Sequence, residues 1–297
     1  MVAAAADGAI AAAVEDSAAL EAEALAAVGQ VGPGKFITKQ FDFSNSSSMA
    51  RYFIELSYDG TLFGGFQIQQ NKATVQGALE HAMETLFRTP IALTGASRTD
   101  AGVHGYQNFL HFDTELDILP KHVYNLNAIL PNSVVVKAIY EVPNEAHSRF
   151  DAIKRGYIYR LHQSKDPFSE GRSWYYPFPV DLDLMQAAAN SLLNYTDFES
   201  FSKKNTQVNT FQCAITKADW TMSGANIQFE IHSNRFLRGM IRGLVGTMVQ
   251  VGRGQISIHE WHEIVASKDE QRVDFSTPAY GLYLSEISYP DFFKKIG

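Results

Sequence analysis

From residue 49 onward, β-rich runs and helical periodicities follow one another without ever settling into a strict βαβ series. That pattern predicts an α+β fold, with a mostly antiparallel mixed sheet flanked by helices rather than a doubly wound parallel one. Residues 51–58 read as a strand with Phe53 and Ile54 near its centre. Residues 74–88 carry Val75, Leu79, Ala82 and Leu86 at helical spacing, which gives one apolar face. Residues 106–113 read as a strand with Tyr106, Asn108, Leu110 and Phe112 on one face and Gln107, Phe109 and His111 on the other. Both faces are partly apolar, as in a sheet covered on both sides. Further strands are expected at 134–141, 156–162 and 282–289, and a hairpin at 211–220 and 226–232 around Ser223-Gly224. Helices are expected at 183–193 with Asp183 as N-cap, at the glycine-rich 236–251, and from the Ser257/Glu260 capping box to about residue 268.

At roughly 100–200 residues per domain, 297 residues suggest two. Hydrophobic residues at 45% and charged residues at 19% allow a packed core. The single cysteine, Cys213, excludes an intramolecular disulfide framework and a Cys-only metal cluster. No apolar run approaches the roughly 18 residues of a membrane span. The first 48 residues differ from the rest: residues 1–28 hold fourteen alanines, followed by a Gly/Pro stretch and Ser46-Ser47-Ser48. Residues 1–28 contain five acids and no basic residue, which argues against a secretory or mitochondrial leader and leaves a cytoplasmic location as the expectation. Residues 1–48 therefore read as an appended or weakly ordered arm, with Met49 as the start of the natural protein. Gly29, Gly34 and Lys35 match the spacing of a phosphate-binding loop, but Phe36 stands where Ser or Thr should hold magnesium, so the stretch reads as a linker. The arm carries six acids against two lysines, so much of the formal charge of −7 lies there. A generally basic nucleic-acid coat is excluded, while a local basic groove is not. A boundary near 143–151 would divide the body into residues 49–147 and 148–297.

Three segments carry candidate chemistry. The first is the loop Ser97-Arg98-Thr99-Asp100-Ala101-Gly102-Val103-His104, between apolar β-rich stretches. By residue type it reads first as an Asx turn, since Asp and Gly are common turn residues. The second reading is a displayed carboxylate at Asp100 with the Arg98 guanidinium two residues away, able to hold a phosphate or a flipped nucleotide. The second segment, Lys154-Arg155-Gly156-Tyr157-Ile158-Tyr159-Arg160, interleaves basic and aromatic residues. It suits base stacking beside phosphates, and equally an edge strand with solvated charges and core tyrosines. The third runs from Asn234 to Arg242, in a stretch with four arginines and no acid up to residue 254. Arg238 and Arg242 are four apart, on one face of the expected helix. A surface cationic stripe is one reading. Phe236, Met240, Ile241, Leu244 and Val245 favour a largely buried helix, whose arginine would need a partner such as Asp100. His104 and His111 lack a third ligand, so no metal site is expected, and Ser97, Asp100 and His104 make no convincing triad.

Together, 97–104, 154–159 and 236–242 resemble the TruA family of tRNA pseudouridine synthases. The likeness spans about residues 49–290 and includes Tyr58-Asp59-Gly60, Val75-Gln76-Gly77-Ala78-Leu79, Asn127-Ala128-Ile129-Leu130-Pro131 and Gly281-Leu282-Tyr283-Leu284. The resemblance implies a two-part pseudouridine synthase fold and isomerisation of uridine to pseudouridine at positions 38–40 of the tRNA anticodon stem-loop. It also implies a homodimer and no cofactor. Carried over by position, Asp100 is the catalytic carboxylate, Arg98 the arginine of base flipping, and Tyr157 the tyrosine against the target base. Arg242, with Arg238 as second choice, is the counter-ion of Asp100. Ser97, Phe66, Ile68 and Gly156 depart from the usual residues, which puts the tRNA contacts rather than the chemistry in question.

Overall fold

A computed structural model describes residues 49–204 and 208–296. The alanine-rich arm at 1–48, with its linker reading, lies outside the described residues. The strands are β1 (Ala50–Tyr58), β2 (Thr94–Gly95), β3 (His104–Thr114), β4 (Val134–Val142), β5 (Lys154–His162), β6 (Trp174–Tyr175), β7 (Ile215–Ser223), β8 (Asn226–Ser233), β9 (Leu282–Ser288) and β10 (Lys294–Lys295). They form one sheet in the order β10-β4-β1-β3-β9-β5-β8-β7, with β2 added to β3 and β6 to β5. All pairings are antiparallel except β3 with β9 and β5 with β6. The helices among the described residues are α1 (Val75–Phe87), α2 (Lys121–Ile129), α3 (Leu182–Ser191), α4 (Met240–Gly252) and α5 (Ile258–Ala266). The expected α+β class with a mostly antiparallel mixed sheet is the one observed.

Local chemistry sets these boundaries. The Thr74 hydroxyl accepts from the Gly77 amide at the start of α1, and Arg88 ends it in the left-handed region at φ 59°. Ser257 and Glu260 form the expected capping box of α5. Apolar side chains of α1 and α2, including Leu79, Met83 and Leu126, cover Tyr52, Ile54, Leu110 and Phe112 on one face of β1 and β3. On the opposite face, Phe53 and Phe109 join Tyr140, Tyr289 and Phe293 in an aromatic cluster of mostly edge-to-face rings. The sheet is thus buried on both sides there, as the mixed pattern of β3 predicts. α3 packs against α4 and β7.

Three expectations shift, and one helix was not foreseen. Asp181, not Asp183, caps α3, because its carboxylate accepts from the Leu184 amide while Asp183 sits in the first turn. β7 begins at Ile215, and upstream of it Gln212 makes only an isolated bridge with Asp197. α4 begins at Met240 rather than at 236, because Gly239 adopts φ +76° and breaks the helix there. α2 carried no readable period, since Leu126 is its one fully buried side chain.

Burial also makes the fold acid-sensitive. His111 is enclosed with Nδ1 2.9 Å from the Ser148 hydroxyl, and burial pushes its pKa down to about 3. In the unfolded chain the ring titrates near 6.5. Its stabilising effect is complete above that value and is lost as pH falls toward 3, because only the unfolded state takes up the proton. We expect the urea midpoint to fall across this window, with His111 contributing on the order of 4 kcal/mol to the loss. His111→Gln should flatten that slope, and an unchanged slope would contradict the assignment.

Candidate active site

β3 and β9 share only two ladder positions, His104 with Tyr283 and Gly105 with Leu284. Farther along, that edge of β3 is taken by β2, with Thr94 opposite His111 and Gly95 opposite Leu110. The sheet therefore splits, and the loop from Ala96 to Val103 joins β2 to β3 along the split. Its residues alternate in environment: Ser97 and Thr99 are buried, and Arg98 and Asp100 are exposed.

The buried positions are held one by one. The Ala96 amide donates to the Phe109 carbonyl at 2.8 Å, and the Asn108 side chain donates to the Ser97 carbonyl at 2.9 Å. The Thr99 hydroxyl meets the Tyr58 hydroxyl at 2.9 Å, and the Thr99 carbonyl accepts from the Phe66 amide at 3.0 Å. The Val103 amide closes a turn onto the Asp100 carbonyl at 3.1 Å, with Gly102 at φ +78°. Between these anchors the Asp100 carboxylate makes no hydrogen bond or ion pair within the described residues, so it stands free to meet a ligand.

Tyr157 lies beside this loop, 9% exposed, with its ring edge-on to Phe236 at 5.2 Å. Burial pushes its phenol up to about 12; Arg155 opposes that shift and the Asp100 charge adds to it. The hydroxyl is therefore a neutral hydrogen-bonding group near Asp100. Arg155 ties three segments together. Its guanidinium donates to the Ser97 hydroxyl at 3.2 Å, the Arg149 carbonyl at 2.7 Å and the Asn234 carbonyl at 3.1 Å. These partners are all neutral oxygens, so the cation adds positive potential beneath the loop.

Arg242 is placed differently from expectation. Its Nε donates to the Thr277 carbonyl at 2.6 Å and its Nη2 to the Phe275 carbonyl at 3.3 Å. Among the described residues the ion pair with Asp100 is not formed; these two carbonyls of the 275–277 segment hold the guanidinium instead. Arg242 lies instead beside the phenol of Tyr159, whose hydroxyl donates to the Pro278 carbonyl. Arg238 is exposed and precedes Gly239, so it does not share a helical face with Arg242.

His104, directly after the loop, is a structural bridge. Its Nε2 lies 3.1 Å from both the Gly171 and Tyr280 carbonyls, and its Nδ1 accepts from the Gly60 amide at 3.1 Å. Burial lowers its pKa despite nearby Asp59, which fits a neutral ring protonated on Nε2. Asp59 pairs with Arg172 at 3.1 Å. No group of three metal-binding side chains occurs among the described residues. Sequence reasoning missed Arg155 and the Tyr58–Thr99 contact as loop anchors. A strand arginine reads alike whether it faces water or carbonyls, and only the Tyr58-Asp59-Gly60 match pointed to that corner.

Comparison with known proteins identifies the architecture. A family model described as tRNA pseudouridine synthase matches residues 188–290. A tRNA pseudouridine synthase A of Parabacteroides distasonis is 42% identical over 245 residues, covering 82% of this chain and 97% of the relative. This chain belongs to the tRNA pseudouridine synthase family. The relative from Porphyromonas gingivalis is 42% identical, with 82% and 98% covered. One from a Geobacillus species is 39% identical, with 79% and 96% covered. An aligned span of 245 residues within 297 necessarily includes the loop of Asp100 and most of the sheet. Pseudouridine synthases are isomerases, and the split sheet with its displayed carboxylate is the frame in which such chemistry is to be sought.

Proposed function

We propose that this protein isomerises uridine to pseudouridine at positions 38–40 in the anticodon stem-loop of tRNA, with Asp100 as the catalytic carboxylate. The observation that carries the reading is the loop itself: an unpartnered carboxylate stands on a backbone pinned at its neighbours, beside a buried neutral phenol. Such rigidity suits a group that must meet its target in one geometry.

The reaction breaks the N1–C1′ bond, turns the uracil and joins C5 to C1′. C5 loses its proton and N1 ends with one, so atoms balance without any redox step. A paired base hides these atoms, so the uridine must leave the stack. Exposed Arg98 is suited to the phosphate or to the space the base vacates, and Tyr157 to the face of the extruded ring. Asp100, acting ionised, suits attack on the nucleoside or removal of a proton from it. Arg238 and Arg242 supply substrate-side cations, with Arg242 acting from its carbonyl-held position. The reading includes a homodimer in the cytoplasm, both supported by family likeness. No helix among the described residues is long and apolar enough to cross a membrane.

The test uses purified protein and unmodified tRNA carrying C5-tritiated uridine. Tritium release with pseudouridine mapped to positions 38–40 is expected. Binding without release would make the protein a non-catalytic RNA binder, and release with the product at other positions would overturn the site assignment.

A further inference from the structure

A second cationic recess lies away from the Asp100 carboxylate. A cavity of about 470 Å³ opens between the segment that follows β5 and the β7–β8 hairpin. Arg160, Arg172, Phe168, Met222, Asn226 and Gln228 contribute to its wall, and no carboxylate lines it. Arg172 is ion-paired with Asp59, so Arg160, which pairs with no carboxylate among the described residues, is the cation that gives the recess a local positive sign.

Arg160 is held in a way that leaves charge to spare. The Arg160 guanidinium rests 4.9 Å from the ring centroid of Tyr283 and 5.5 Å from that of Tyr106. Tyr283 in turn stacks on Tyr106 at 4.9 Å and on His104 at 4.6 Å. Ring faces orient the guanidinium, which also hydrogen-bonds the Tyr283 hydroxyl, and leave its other donors for an anion. Arg172 is anchored by Asp59 yet is 62% exposed. At the rim, Phe168 is 87% exposed and Met222 50% exposed, so an aromatic face and a thioether are open to a ligand beside the arginines.

One ligand chemistry accounts for all of these features. A free phosphate would use the arginines and leave Phe168 bare; an apolar segment would cover Phe168 and leave the guanidiniums unused. A nucleotide unit of RNA brings a phosphate for Arg160 and Arg172 and an aromatic face for Phe168. Asn226 and Gln228 are of the type that reads a base edge. The recess also belongs to the end of the sheet that carries the loop, since His104 lies four residues beyond Asp100 and its ring is in the Tyr283 stack.

We infer that this recess is a second RNA-contact site, which takes a phosphate and an unstacked base of the tRNA away from the uridine being isomerised. The inference rests on the proposed tRNA substrate and adds a contact to it. The test measures affinity for full-length tRNA between about 50 and 200 mM monovalent salt, in the Asp100→Asn background so that no turnover intervenes. Arg160→Gln should make the slope of log K against log salt shallower by about 0.7–0.9, the signature of one lost phosphate contact. Arg160→Lys should keep the wild-type slope. Phe168→Ala should weaken binding about fivefold or more at every salt concentration. Because Phe168 is exposed, that variant stays informative even if Arg160→Gln unsettles the tyrosine stack. Wild-type affinity and slope in both Arg160→Gln and Phe168→Ala would overturn the inference. So would loss of a dimer with unchanged RNA affinity, which would assign the recess to a subunit contact. If the wild-type protein makes no pseudouridine and these variants still weaken tRNA binding, the catalytic reading fails and the RNA site stands.

Discussion

Asp100→Asn should lower pseudouridine formation by about a thousandfold or more, within the range expected when an essential acid–base group is removed. It should change tRNA affinity by less than about threefold, because phosphate contacts dominate affinity. The change is nearly isosteric, and the carboxylate has no partner within the described residues, so the melting temperature should hardly move. Single-turnover tritium release and a thermal melt on the same sample check both halves. Ordinary turnover by the variant would remove Asp100 from the chemistry, and a large loss of stability would mean that the side chain serves the fold.

The second large effect is expected at Gly60. A Cβ on Gly60 would lie 2.0 Å from the carbonyl oxygen of Val103 and 2.7 Å from its carbonyl carbon. Both are backbone atoms of the loop that carries Asp100. The loop cannot retreat freely, because Thr99 is held by Tyr58 and Phe66, and His104 by three backbone groups. Gly60→Ala should therefore destabilise the protein by about 3 kcal/mol, the upper part of the range for overpacking. In the molecules that remain folded, displacement of Asp100 by about an ångström should reduce turnover on the order of a hundredfold. Urea denaturation and single-turnover rates measured below the transition separate the two losses. A folded Gly60→Ala enzyme with wild-type turnover would show that the loop tolerates displacement.

Much of the architecture was legible because its signals are local. Alternation on β3, the Thr74 start of α1 and the Ser257/Glu260 box each depend on residues a few positions apart, and each appears where expected. The errors lie where a single residue or a distant partner decides. Gly239 permits further helix by composition, but its positive φ moves Arg238 off α4. Arg242 needed a partner, and sequence suggested a carboxylate. The carbonyls of Phe275 and Thr277 were invisible as acceptors because every residue has one. Asp100 was singled out by its motif, since residue type alone favoured an Asx turn; the Val103 amide instead closes a turn onto the Asp100 backbone carbonyl, without the carboxylate. Phe66 is fully enclosed, so its amide and ring support the loop from inside.

The two rungs joining β3 to β9 bear on how the enzyme matures. Translation delivers Asp100 well before Tyr283 and Leu284, so the strand that flanks the loop follows only after the intervening strands have been made. A nascent chain stalled before residue 283 would already display the acid yet lack the wall that keeps it in register. Chains that end before residue 283 should accordingly carry Asp100 yet form no pseudouridine.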